Sequence, residues 1–92
     1  QLSAAGWFRL YTDSASRTAD ANRSVGEDPA AGSGVIAEVV TTASSLTQKV
    51  TPFVPGGNMD NPVSTNMYVA IKNLSSTTQA ITATLTILKL ED

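Results

Sequence analysis

Residues 78–90 read TQAITATLTILKL, and from Ile81 onward apolar residues alternate with threonine. Ile81, Ala83, Leu85 and Ile87 fall on one side, and Thr82, Thr84 and Thr86 on the other. Successive side chains of a strand point to opposite faces, so a period of two predicts a strand with one covered face. The many β-branched residues strengthen that reading. Ten such residues extend roughly 33 Å, enough to span a small sandwich. A strand of that length is expected to lie centrally, with Leu85 in the core, and to receive earlier strands as partners.

Those partners are sought upstream. GWFRLY at residues 6–11 is the first strand by pattern, with Phe8 and Leu10 toward the core and Trp7, Arg9 and Tyr11 on the opposite face. A guanidinium stacks well on aromatic rings, so this second face suits a ligand platform. It equally suits a surface between subunits, and that is the reading preferred here. VIAEVVTT at 35–42 is the next strand. Val35, Ala37 and Val39 share one face; Ile36, Glu38 and Val40 share the other. Both faces are largely apolar, which places the strand centrally or against another subunit. Glu38 interrupts its face, and a part-buried carboxylate needs a partner, for which Arg9 or Arg17 would serve. Residues 46–51 alternate again and are expected to close a hairpin that Pro52 ends. Residues 65–74 form a further strand, turned at 73–77 into the final one. With about five to six strands and no long helix, the pattern predicts an all-β fold. The expected form is a small antiparallel β-sandwich, jelly-roll-like, with two long loops.

The first loop covers residues 12–34. Asp13 or Ser14 is placed to cap a short helical turn running to Asp20. Asp20 and Arg23 are three residues apart and suit an ion pair that clamps the loop, worth under about 1 kcal/mol if exposed. Asp28-Pro29 fixes the approach to the second strand. A connection of this length in so small a domain is the best candidate for a binding loop. The second loop spans 53–62, where Gly56-Gly57-Asn58 is expected to adopt positive φ in a tight turn.

Composition closes off several functions. The 92 residues contain no cysteine and no histidine, so disulfides, thiolate metal sites and histidine-based catalysis are absent. Asp13, Asp20, Glu27, Asp28 and Asp60 all lie in loops, where a solvated carboxylate is the default. Oxygen ligands suit calcium, but no loop has its acidic spacing, so no metal and no cofactor are expected. Neither glycine-rich segment has the spacing of a phosphate cradle. The net charge is −2 and the basic residues are scattered, which argues against nucleic acid as partner. No apolar run approaches the roughly 20 residues of a membrane span, so no membrane insertion is expected. Charged residues make up 15% of the chain, where about a quarter is usual. Such a neutral, small chain is expected to bury surface against copies of itself. It reads as a single domain over 1–92, a fragment or module of a larger assembly.

The order of segments carries a resemblance. Arg9-Leu10-Tyr11, Thr18-Ala19-Asp20, Arg23, Asp28-Pro29, Gly34-Val35-Ile36, Gly57-Asn58 and Asn73-Leu74 follow one another across residues 6–91. This order resembles a small β domain of bacteriophage virion proteins, of the tail-fibre or tail-tip kind. The resemblance implies a structural building block located in the virion, and it brings no catalytic residue with it. The resulting expectation is a non-enzymatic assembly module of a tail fibre, neck or capsid surface. It would act as a homo-oligomer, a trimer, docking on other virion proteins. The expected interface residues are Trp7, Arg9, Tyr11, Ile36, Val40, Thr82, Thr84 and Thr86. The expected loop-shaping residues are Asp20, Arg23, Asp28, Pro29, Gly57 and Asn58. The alternative is a carbohydrate-binding module that meets a host surface glycan through Trp7, Tyr11 and the long loops.

Overall fold

The computed structural model describes residues 1–50 and 54–88. Within them β1 (Gly6–Tyr11), α1 (Ser14–Ala19), β2 (Val35–Val40) and β3 (Tyr68–Asn73) follow in order. The three strands form one antiparallel sheet, ordered β2-β1-β3. The first strand is therefore the central one. Phe8 stands opposite Val39 on one side and Ile71 on the other, and Arg9 opposite Glu38 and Ala70. The β1–β2 register slips between Leu10 and Tyr11, so that Tyr11 faces Val35 and Ile36 is the extra residue.

Residues 12–34 fold back onto β1. Asp13 caps α1, its Oδ1 accepting from the Ser16 backbone N–H at 2.7 Å. Gly34 returns the chain to the sheet at φ +82°, and its carbonyl accepts from the Thr12 N–H at 2.9 Å. A side chain at Gly34 would run into those of Ser16 and Thr12, so both geometry and space require glycine. The connection lies over the Trp7, Arg9 and Tyr11 face, Leu2 packs beside Gly6, and β1 is the most buried strand of the sheet. Trp7 is 0% exposed, Tyr11 2%, Arg9 7% and Phe8 9%.

The second loop is organised around Asn58. Its Oδ1 accepts from the N–H groups of Asp60 and Ser64, while its Nδ2 donates to the Asn66 carbonyl at 2.8 Å. Asp60 in turn accepts from the Tyr68 hydroxyl at 2.7 Å, which ties the loop to the start of β3. The Met59 N–H donates to the Thr12 carbonyl, so the two loops meet.

Several expectations are corrected. The fold is all-β with one short helix, but the described residues build a single three-stranded sheet, not a five- or six-stranded sandwich. Residues 78–88 form no strand within the sheet. They touch it through one bridge, Leu2 to Ala83, with the Ser3 N–H donating to the Thr82 carbonyl and the Thr84 N–H to the Gln1 carbonyl. The reason lies in β3, whose sheet partner is β1. At the end of β3, Asn73 Oδ1 accepts from the Ser75 N–H and its Nδ2 donates to the Thr77 carbonyl, turning the chain away from the sheet. Leu85 is accordingly 45% exposed, not core. Residues 46–50 are not a strand either: Thr42 and Ser45 close a tight turn, and the Leu46 carbonyl is taken by the Leu2 N–H. The parts of these two strands expected at 51 and 89–90, and the break expected at Pro52, lie outside the described residues. Positive φ occurs at Gly32 and Gly34 rather than at Gly56-Gly57. Gly56 is small for another reason, since a Cβ there would press on Ile36.

Candidate functional site

On a strand, residues two apart share a face, so Trp7, Arg9 and Tyr11 line up along one side of β1. The 12–34 connection lays two charged residues across them. Arg23 Nε donates to Asp20 Oδ1 at 2.7 Å and its Nη2 donates to Asp20 Oδ2 at 3.0 Å, a two-pronged pairing. Its Nη1 donates to Glu38 on β2 at 3.2 and 3.3 Å, and to the Glu27 carbonyl at 2.6 Å. The Tyr11 hydroxyl donates to Asp20 Oδ2 at 2.6 Å, and the Trp7 indole N–H to Glu38 Oε1 at 2.9 Å. A continuous chain thus runs from Tyr11 through Asp20, Arg23 and Glu38 to Trp7. It fastens the long connection to β1 and β2 together.

Two guanidinium carbons also lie against the Trp7 ring, Arg9 at 3.9 Å and Arg23 at 4.9 Å from its centre. Arg9 has a different status from Arg23. Its Nε is buried without a hydrogen-bond partner among the described residues, and its Nη1 stands 3.9 Å from Asp20 Oδ2.

The electrostatics follow from these contacts. The Arg23 hydrogen bonds hold the Asp20 carboxyl below the usual carboxylate range, against the opposing effect of burial. Asp20 in turn pushes the Arg23 guanidinium up. Burial, followed by the bond to Asp20, pushes the Tyr11 phenol up to about 12. Asp20, Arg23 and Tyr11 therefore keep one protonation state across neutral pH, which suits a fixed clasp rather than proton transfer.

The expected site residues are distributed unevenly. Asp20 and Arg23 form the loop clamp, but with side chains only 8% and 7% exposed, so they are part of the interior rather than a solvated pair. Trp7, Arg9 and Tyr11 are brought together but are covered by their own chain, which removes them as a surface for another subunit or for sugar stacking. Ile36 is half-buried, Val40 is 47% exposed at the sheet edge, and Thr82, Thr84 and Thr86 are exposed. Asp28 is exposed and Pro29 half-buried; Gly57 is exposed with open space beside it, while Asn58 holds the second loop. Glu38 takes neither Arg9 nor Arg17 as its hydrogen-bonded partner; it takes Arg23 and Trp7. Arg17 instead faces the Tyr68 ring at 5.1 Å. The Arg23–Glu38 pairing spans 15 residues. Its one sequence signal was the lone carboxylate in an apolar strand.

Among the described residues, no three acidic side chains gather as metal ligands, and no helix is long and apolar enough to cross a membrane. No family model, curated protein or solved structure matches the chain.

Proposed function

We propose that the chain is a non-enzymatic structural module that acts by associating with copies of itself and docking on neighbouring subunits. The observation that carries this reading is the state of residues 81–88. They keep a strand's alternation of apolar residues and threonine, yet Leu85 is 45%, Ile87 58% and Leu88 81% exposed. Apolar surface left in water costs about 25 cal/mol per Å² relative to burial, so such a segment gains by meeting a second surface. Low charge density supports a copy of the same chain as the partner, since few ions need to be desolvated. In the assembly 81–88 acts as a strand, with Thr82, Thr84 and Thr86 on one side and Leu85 and Ile87 on the other. A trimer is the proposed state, and the edge residue Val40 is a further contact.

The order of segments supports a phage virion as the setting, in a tail fibre, neck or capsid surface. The carbohydrate alternative built on Trp7 and Tyr11 is not carried forward, because both rings are buried. Amide hydrogen exchange across a concentration series tests the proposal. Protection of residues 81–88 that rises with concentration supports it, and free exchange of these amides at every concentration overturns it.

A further inference from the structure

A strand has two edges, and β3 uses only one of its own. The Leu74 N–H donates to the Ala5 carbonyl at 3.0 Å and continues the β1–β3 ladder, so Tyr68, Ala70 and Lys72 turn their backbone groups toward β1. The N–H and carbonyl groups of Val69, Ile71 and Asn73 then point away from the sheet, and no partner meets them among the described residues. Residues 81–88 have a similar free edge. The Thr82 carbonyl accepts from the Ser3 N–H at 2.9 Å, and the Thr84 N–H donates to the Gln1 carbonyl at 2.8 Å. In an extended segment this leaves Ala83, Leu85 and Ile87 to present their backbone groups on the other side.

We propose that these two edges join between copies: residues 83–87 of one chain add antiparallel to β3 of the next, with Leu85 opposite Ile71. This rests on the self-association proposed above and names the surface that receives the segment. One register satisfies both edges. Val69, Ile71 and Asn73 meet Ile87, Leu85 and Ala83 in hydrogen-bonded pairs, three residues against three. The same register places like side chains together. Val69 and Ile71 stand on the Phe8 side of the sheet, and Leu85 and Ile87 extend that apolar face. On the other face Ala70 and Lys72 fall beside Thr86 and Thr84, so Lys72 is the one charged residue of the seam and keeps polar neighbours. A slip by one residue would lose both the hydrogen bonds and this match. The opposite edge of the sheet is the poorer receiver. There the β2 ladder is interrupted at Ile36, and the Gly56 backbone lies against the Ile36 side chain. A seam between two different edges is head-to-tail, the kind that closes into a ring, as a trimer requires.

The chain has no cysteine, so single introduced cysteines report the seam without background. Lys72 and Thr84 are both exposed and fall opposite each other in a non-hydrogen-bonded pair. Cα atoms of such a pair stand about 4.5 Å apart, within reach of a disulfide. Full chains carrying Lys72→Cys and Thr84→Cys are mixed at a concentration where the parent associates and then oxidised, and the linked peptides are mapped by mass spectrometry. The expected main product is a 72–84 disulfide, with a shift from 9.6 kDa to twice that mass without reductant. Val40→Cys, on the opposite edge of the sheet, is expected to link to Thr84→Cys far less. In the parent, amide exchange at Val69, Ile71 and Asn73 is expected to slow with rising concentration in step with Leu85 and Ile87. Association without the 72–84 link, or with equal linking of positions 40 and 84, overturns this edge pairing and leaves self-association standing. A parent that stays a single chain at every concentration overturns both.

Discussion

Arg23→Met removes five hydrogen bonds in one step while keeping a side chain of similar length. Asp20, its side chain 8% exposed, is left with the Tyr11 hydroxyl and with Arg9 no nearer than 3.9 Å. Glu38 is 29% exposed, so water replaces part of what it loses. Breaking a buried ion pair costs about 3–5 kcal/mol and an exposed one about 0.2–1 kcal/mol. The retained bond to Tyr11 and the partial rehydration of Glu38 place the total near the lower bound, about 3 kcal/mol. For a domain of this size that is a drop in melting temperature of about 12–24 °C. Arg23→Lys keeps the charge but not the two-pronged geometry, and falls between the two. The acid limb carries a second signature. The folded-state pKa of Asp20 is lowered, so its contribution is present above about pH 4 and is lost as pH falls through the folded value. Without Arg23 the largest cause of that lowering is lost while the Tyr11 bond and Arg9 remain, and the variant's stability declines less steeply in acid than the parent's. Thermal unfolding by circular dichroism between pH 3 and 7 measures both. A melting temperature within about 4 °C of the parent at pH 7, with an unchanged acid limb, refutes the clasp as the fastening of the long connection.

Gly34→Ala is expected to cost about 2–3 kcal/mol by urea unfolding, because φ +82° is strained for alanine and its Cβ meets Ser16. Gly57→Ala, with open space around it, is expected to stay within about 0.5 kcal/mol, and equal costs would contradict the assignment of strain. In an absorbance titration Tyr11 is expected to hold its proton to about pH 12. Because that folded value is raised, the associated stability is present below about pH 10 and is lost as pH climbs to the folded value. Tyr11→Phe is expected to remove that alkaline step, and its persistence would reject the buried Tyr11 phenol as its source. Leu85→Asp, at a 45% exposed position, is expected to fold with a loss of about 1 kcal/mol or less when both chains are diluted until the parent too is a single chain, checked by the same unfolding curves.

Local patterns found the parts whose information is local. Alternation located β1, β2 and β3 to within a few residues, and Asp13 marked the start of α1. Asp20 and Arg23 were legible as a pair because three residues separate them. Alternation failed at residues 78–88 because a period of two says that a face wants cover but not what covers it. The same limit applies to β1. Its pattern sorted Phe8 from Trp7, Arg9 and Tyr11, yet could not show that the 12–34 connection would bury the second face as well. Glu38 found an arginine, as a carboxylate in an apolar strand must, but which arginine depended on how a loop folds back across the sheet.

The central claim is that residues 81–88 are a strand whose partner is another copy of the chain. Light scattering of the parent chain and of Leu85→Asp, each across a concentration series, tests it most directly. The account predicts a parent mass of three times 9.6 kDa and a single-chain mass for the variant. A parent that stays at 9.6 kDa at every concentration, or a variant that assembles as the parent does, contradicts it.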